Sequence, residues 1–190
     1  MGRITAKTIK NNKSTILGTS ITYVPGVDGS KTALVATYQN GSDAAYSYTY
    51  DANGSITGIT KGSMSFSYEY DSANQLVREN LYYDDNDPNN ATYTYSYDQW
   101  GNILSKNKYA YTTTALGAVV ETVSYGYNDS QWGDRLTSFG GQTITYDAMG
   151  NPESYLGKTL SWEGKQLTSV TDGTHSYSYS TTRTDSACAR

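Results

Sequence analysis

Aromatic rings at every second position, an acidic residue, and a glycine three residues further on make up the phrase Tyr46-Ser-Tyr-Thr-Tyr-Asp51-Ala-Asn-Gly54. Rings two apart share one side of an extended strand, whereas a helix scatters that spacing around its circumference. Asp at the head of a tight turn accepts backbone N–H groups two or three residues ahead. Gly at the fourth position takes a positive φ without a steric penalty. The phrase returns as Phe66-Ser-Tyr-Glu-Tyr-Asp71-Ser-Ala-Asn74 and as Tyr93-Thr-Tyr-Ser-Tyr-Asp98-Gln-Trp-Gly101, with a shorter copy at Ile144-Thr-Tyr-Asp147-Ala-Met-Gly150. Asn74 stands where the others have Gly, and Asn is the next most tolerant of left-handed geometry. The structural repeat motif is therefore Tyr50, Asp51 and Gly54; Tyr70, Asp71 and Asn74; Tyr97, Asp98 and Gly101; and Tyr146, Asp147 and Gly150. Each Tyr closes one sheet face, and each Asp heads a hairpin bend.

Three degenerate copies extend the series: Tyr125-Gly-Tyr-Asn128, with its turn lengthened to Gly133; Leu160-Ser-Trp162-Glu-Gly164; and Tyr177-Ser-Tyr179. The last aromatics of the runs are Tyr50, Tyr70, Tyr97, Tyr127, Tyr146, Trp162 and Tyr179. An irregular period of roughly 20 residues marks an array of supersecondary units. The expected fold is all-β, with consecutive antiparallel hairpins forming a curved open sheet. Residues 1–45 read as partial repeats and 46–179 as the array proper. The tail at 180–190 does not fit the pattern, as a slipped reading frame or a cut chain would leave it.

Within that frame, residues 1–22 read as two short strands about Lys10-Asn-Asn-Lys13, and Tyr23-Val-Pro25-Gly26 interrupts the run. Thr32–Tyr38 is the most apolar strand, returned by Asn40-Gly41. Asp84–Asn90 is a solvated turn, since it lacks the central Gly and terminal Glu of a calcium loop. Tyr109–Thr114 and Val119–Tyr125 should pair as a long hairpin, as should Asp134–Phe139 and Gln142–Tyr146.

Leu, Ile, Val and Phe make up under a fifth of the chain, with 20 Tyr and a net charge of only -4. Tyr supplies the burial instead, about 150–250 Å² per ring, so the core is thin and aromatic. A lone Cys188 and a lone His175 leave no disulfide framework, metal pattern or His-based triad, and no Gly-x-Ser-x-Gly elbow is present. No catalytic, cofactor-binding or metal residue is assigned. No apolar run is long enough to span a membrane, and the first residues lack a signal peptide's apolar segment. Basic residues do not cluster, which argues against nucleic acid. Trp100, Trp132 and Trp162 are candidates for stacking on sugar rings.

These motifs resemble the RHS/YD-repeat family, bacterial relatives of the teneurins. The resemblance rests on Tyr-Asp-x-x-Gly at 50–54, 97–101 and 146–150, on Asp134-Arg-Leu-Thr-Ser-Phe139, on Ile144–Pro152, and on Trp162-Glu-Gly-Lys-Gln-Leu-Thr-Ser-Val170. It implies hairpins spiralling into a hollow shell that, in toxin members, encloses a C-terminal effector. The family's self-cleavage centre, an Asp-Pro-x-Gly setting, has no counterpart: the one Asp-Pro, Asp87-Pro88, runs into Asn89-Asn90. The expected function is a non-catalytic wall segment of a secreted or cell-surface protein, partnered by the rest of the shell and its effector. The alternative is a carbohydrate or cell-wall binding module using exposed Tyr and Trp. The choline-binding cell-wall repeats are similar in their aromatic hairpins with Asp and Gly in the turn. They pair their Trp in nearly every repeat, however, whereas Trp100, Trp132 and Trp162 are scattered. As an isolated piece with open edges, the chain should be marginally stable and prone to aggregate.

Overall fold

The computed structural model describes residues 2–12 and 14–179, so the reading of the tail from Ser180 lies outside the described residues. None of the described residues is helical. The chain opens with β1 (Ala6–Asn11), β2 (Ser14–Pro25), β3 (Lys31–Asn40) and β4 (Tyr46–Tyr50). It continues with β5 (Ile56–Lys61), β6 (Met64–Tyr70), β7 (Leu76–Tyr82) and β8 (Ala91–Tyr97). Then come β9 (Ile103–Ala110), β10 (Val119–Gly126), β11 (Ser138–Phe139) and β12 (Gln142–Thr143). These strands form one open sheet whose order is the sequence order. A second sheet holds β13 (Ser154–Tyr155), β14 (Lys158–Glu163), β15 (Gln166–Thr171) and β16 (Ser176–Ser178). The all-β expectation holds, in two sheets rather than one strip. Between them the ladder shrinks to a single bridge, Tyr146↔Pro152, and Pro has no N–H with which to extend it.

The chain divides into two compact units, Met1–Ser96 with Lys106–Glu121, and Tyr97–Ser105 with Thr122–Arg190. In the first, register places the aromatics in columns across the strands: Tyr48↔Ile59↔Phe66↔Leu81↔Ala91, and beside it Tyr68↔Glu79↔Tyr93. Cross-strand neighbours of this kind are the unit of sheet stabilisation. All but Ala91 keep part of their surface in water. The opposite face carries a polar column, Thr49↔Gly58↔Ser67↔Asn80↔Thr92. Its last two members are buried, Thr92 at 0% exposure and Asn80 at 4%.

That polar column also explains a difference from the expected strands. Arg78 Nη2 donates to the carbonyls of Thr112 at 2.8 Å and Thr114 at 3.0 Å. Thr92 Oγ1 donates to Thr112 O and accepts from Thr112 N, both at 2.9 Å. With those groups engaged, residues 111–118 leave the ladder and fold as a loop, so the strand expected at Tyr109–Thr114 ends at Ala110. At the start of the chain β2 runs through Tyr23 to Pro25 instead of breaking at Tyr23. Its register to β3 shifts on both sides of Tyr23, which absorbs the proline.

In the second unit the hairpin expected over 134–146 keeps only two residues per strand. It turns at Gly140 and Gly141, both at positive φ (56° and 79°), the geometry of a two-residue mirror-image turn. Phe139 packs edge-on to Tyr125, centroids 5.1 Å apart, and against Tyr155 at 5.7 Å. Ile144 is buried.

Candidate functional site

The repeat motif builds one turn four times. Asp51 Oδ1 accepts from Asn53 N and Ser55 N at 2.9 Å, Gly54 N donates to Asp51 O at 3.1 Å, and Asp51 N donates to Ser55 O at 3.0 Å. The same set recurs at Asp71 with Ala73, Asn74 and Gln75; at Asp98 with Trp100, Gly101 and Asn102; and at Asp147 with Met149, Gly150 and Asn151. The fourth residue is left-handed each time: Gly54 φ 87°, Asn74 φ 62°, Gly101 φ 88°, Gly150 φ 79°. This is a three-residue hairpin loop, a turn followed by a left-handed bulge residue. The carboxylate takes the N–H groups two and four ahead rather than two and three, because the third donates to the aspartate's own carbonyl.

Three of the turns are tied to the turn that follows. Ser55 Oγ donates to Asn74 Oδ1 at 2.8 Å. Asn102 Nδ2 bridges Asp98 Oδ2 at 2.8 Å and Gly133 O at 3.3 Å. Asn151, 4% exposed, bridges Asp147 Oδ2 at 2.8 Å and Gly164 O at 2.7 Å. The residue following the turn glycine thus reaches sideways to the next turn's glycine or asparagine. Single-sequence reading missed this; the signal was Gly-Asn at 101–102 and again at 150–151.

A second link runs through the aromatic before the Asp. Tyr50 Oη donates to Val35 O at 2.8 Å, Tyr70 to Ile56 O at 2.9 Å, and Tyr146 to Leu136 O at 2.7 Å. Trp162 uses its indole N–H in the same way on Pro152 O at 2.7 Å. The β5–β6 ladder begins at Gly58↔Ser67, so the Ile56 carbonyl lies beyond it and the Tyr70 hydroxyl supplies the missing donor. Burial pushes the Tyr70 phenol above its ordinary value, with the Asp51 carboxylate adding to the effect. Burial likewise raises Tyr146, and Arg135 opposes it. Tyr97 ends β8 directly before Asp98.

Arg135 organises the long turn of the second unit. Its guanidinium lies 4.3 Å from the Trp132 ring and 4.8 Å from the Tyr146 ring, with Asp129 Oδ2 at 3.0 Å. Asp129, not Asn128, heads this turn, accepting from Gln131 N at 2.9 Å and Trp132 N at 3.0 Å. Those backbone bonds, helped by Arg135, hold its carboxyl below the ordinary range against burial. At Asp98 burial works to raise the pKa, and the Asn102 amide with the N–H groups of Asn102, Trp100 and Gly101 outweighs it. Asp147 is lowered by the Asn151 N–H and amide, and Asp172 by the N–H groups of His175 and Thr174.

The three tryptophans differ. Trp132 has a cation on its ring, and Trp162 is half-buried with its N–H engaged. Trp100 is 76% exposed on a groove of about 270 Å³ lined also by Asn102, Gly133 and Asp134. His175 is exposed, 3.5 Å from Asp172. In the 84–90 loop, Asn90 ties Tyr83 N at 2.8 Å and Asp84 O at 2.7 Å, and Asp87 Oδ1 takes Asn89 N at 2.8 Å.

Fold and site together define a class: an array of antiparallel hairpins stitched turn to turn by Asp, Asn and Tyr. The chain matches no protein-family model and no curated protein. Solved structures share its fold. A TcdB2-TccC3-TEV chain aligns at TM-score 0.58 and 19% identity, covering 82% of this chain and 9% of that one. A TcdB2-TccC3-Cdc42 chain aligns at 0.59 and 20%, covering 82% and 9%. A chain of the Photorhabdus luminescens Tc holotoxin pore, in a form with a TccC3 mutation, aligns at 0.58 and 19%, covering 87% and 10%. The chain thus spans 9% or 10% of the length of these solved chains.

Proposed function

We propose that this chain is a non-catalytic structural segment of an RHS/YD-repeat scaffold, part of a wall that encloses or presents a C-terminal effector domain. The observation that carries the reading is the shared fold with TcdB2-TccC3 and Tc holotoxin chains over 82% or more of this chain. The links give it a mechanism: Tyr hydroxyls, the Trp162 indole and turn asparagines fasten hairpins to neighbouring backbone carbonyls, so the wall extends by repetition without a thick core. The partners are then the remaining repeats and the enclosed effector, and the setting is a secreted or cell-surface protein. On this reading 46–179 is the repeat array and 1–45 a set of degenerate repeats.

The test starts from the coding sequence on both sides of this stretch, followed by limited proteolysis of the whole product. The expected result is further Tyr-Asp-x-x-Gly units and a downstream domain cut far more slowly than the same domain expressed free. Equal cutting rates, or flanks without such units, would sink the proposal. A carbohydrate-binding reading is favoured by one observation, the exposed Trp100 ring. Saturable glycan binding lost in Trp100→Ala with the downstream domain unprotected would put it first.

A further inference from the structure

Trp132 displays what an indole and a carboxylate hold together in this chain: the Arg135 cation on the ring at 4.3 Å, paired to Asp129 at 3.0 Å. A groove of about 270 Å³ in the same unit is lined by the same two residue types, Trp100 and Asp134. It lacks the cation. Among the described residues Asp134 makes no hydrogen bond or ion pair, and the Trp100 ring has no aromatic or cationic neighbour. The backbone carrying the two residues is fixed. Trp100 N is fixed on Asp98 Oδ1 at 2.9 Å, and Asn102 Nδ2 fastens the Trp100 turn to Gly133 O at 3.3 Å.

We propose that this groove binds a quaternary ammonium group, a choline-type headgroup. An aromatic face attracts a cation through its quadrupole, and a free carboxylate adds the opposite charge. The choice among cations follows from the acceptors. Gly133 O already receives the Asn102 amide, which leaves Asp134 as the free anionic acceptor. A guanidinium is the competing cation, since Arg135 shows one held between an indole and a carboxylate, and a primary ammonium would have to shed a strong hydration shell to lie on the ring. A trimethylated nitrogen has no N–H to satisfy and is weakly hydrated. A neutral sugar would use the ring and leave the carboxylate's charge unanswered.

Choline chloride is titrated into the isotope-labelled chain at constant ionic strength while the three indole N–H resonances are followed. The expected result is one saturable shift, at Trp100, with Trp132 and Trp162 unmoved as internal controls. The shift disappears in Trp100→Ala. Affinity falls about fivefold in Asp134→Asn, the size of one exposed cation–carboxylate contribution. Both side chains are exposed, so the two control resonances also report that the variants fold. A linear drift matched by sodium chloride overturns the proposal. So does an equal response to N-acetylglucosamine, tighter binding of an arginine ester than of choline, or an Asp134→Asn variant that binds like the parent.

Discussion

The two units solve one problem in different ways. Both use the same Asp-headed turn and the same tyrosine hydroxyl on a neighbouring carbonyl. Yet the second unit places three very short strands before its six-residue β14 and β15, and the packing beside them differs in kind. In the first unit β6 and β7 have seven residues each, and long ladders leave the sheet faces to aromatic columns on one side and a buried polar column on the other. In the second, β11, β12 and β13 have two residues each, too few to hold register by ladder alone. There the side chains take over: Arg135 between two rings, and Asn102 and Asn151 bridging turns. The comparison teaches that the turn is the constant of this array, while the means of joining hairpins varies with how much ladder is available.

The first unit should break most sharply at Asn80. Its amide donates to Ser67 Oγ at 2.7 Å, and its oxygen accepts from Arg78 Nε at 3.0 Å and shares the one Thr92 hydroxyl proton, 3.0 Å away, with Thr112 O. Asn80→Ala takes the amide from Ser67 Oγ and Arg78 Nε where water scarcely reaches, while Thr92 Oγ1 keeps Thr112, and costs about 3 kcal/mol. Hydrogen exchange should show opening across β6–β8 and the 111–118 loop, with the second unit's amides unchanged. Opening throughout the chain would mean that the two units do not unfold separately. The mirror experiment is Arg135→Ala, which removes two cation–ring contacts and a part-exposed ion pair. It should cost about 2 kcal/mol and speed exchange of the second unit's amides about 30-fold. A change below about threefold would show that the short strands hold without Arg135.

This contrast was half legible in the sequence. Alternating aromatics and Asp-x-x-Gly punctuation fix strand, turn and order, because each is a local choice with a local energetic cause. The polar column was not legible: Ser67, Asn80 and Thr92 look like an ordinary solvated face until the 111–118 loop folds over them, and that loop reads locally as Thr-rich strand. Arg135 was visible inside the Asp134–Phe139 phrase, but its partners Trp132 and Tyr146 lie on opposite sides of it in sequence and are joined only by the fold. Asp129 was passed over in favour of Asn128, since either can head a turn.

Acid perturbs each link less and acts on several at once. The carboxyls of Asp98, Asp129, Asp147 and Asp172, all in the second unit, are held below their ordinary values. A folded pKa below the unfolded one means that the native state binds fewer protons. The stabilisation is then complete above the unfolded value, near 3.9, and fades as pH falls through the folded values. Protection of the amides that these carboxylates accept, such as Trp100, Trp132, Met149 and Thr174, should therefore decline together below about pH 4. Protection that persists unchanged to about pH 2 would show that the carbonyl bonds of the turn suffice without charge.

The smallest effect tests what the two units share. Gly54 and Gly150 have φ of 87° and 79°, so an added Cβ meets the same left-handed strain, about 1 kcal/mol, in each turn. Their surroundings differ. A Cβ on Gly54 would lie 3.8 Å from Leu34 Cδ2, while on Gly150 it would lie 3.5 Å from Arg135 Nη2 and 3.5 Å from Trp132 Cζ3. Both are ordinary contact distances, so Gly54→Ala and Gly150→Ala should destabilise their own units by amounts within about 0.5 kcal/mol of each other. Chemical denaturation of each variant, read by local exchange, measures the pair. If Gly150→Ala cost several times more, the Arg135–Trp132 contact would have no slack, and the turn itself would belong to the side-chain packing of the second unit. Equal costs would leave the turn as the invariant part and put the whole difference between the units into what lies beside it.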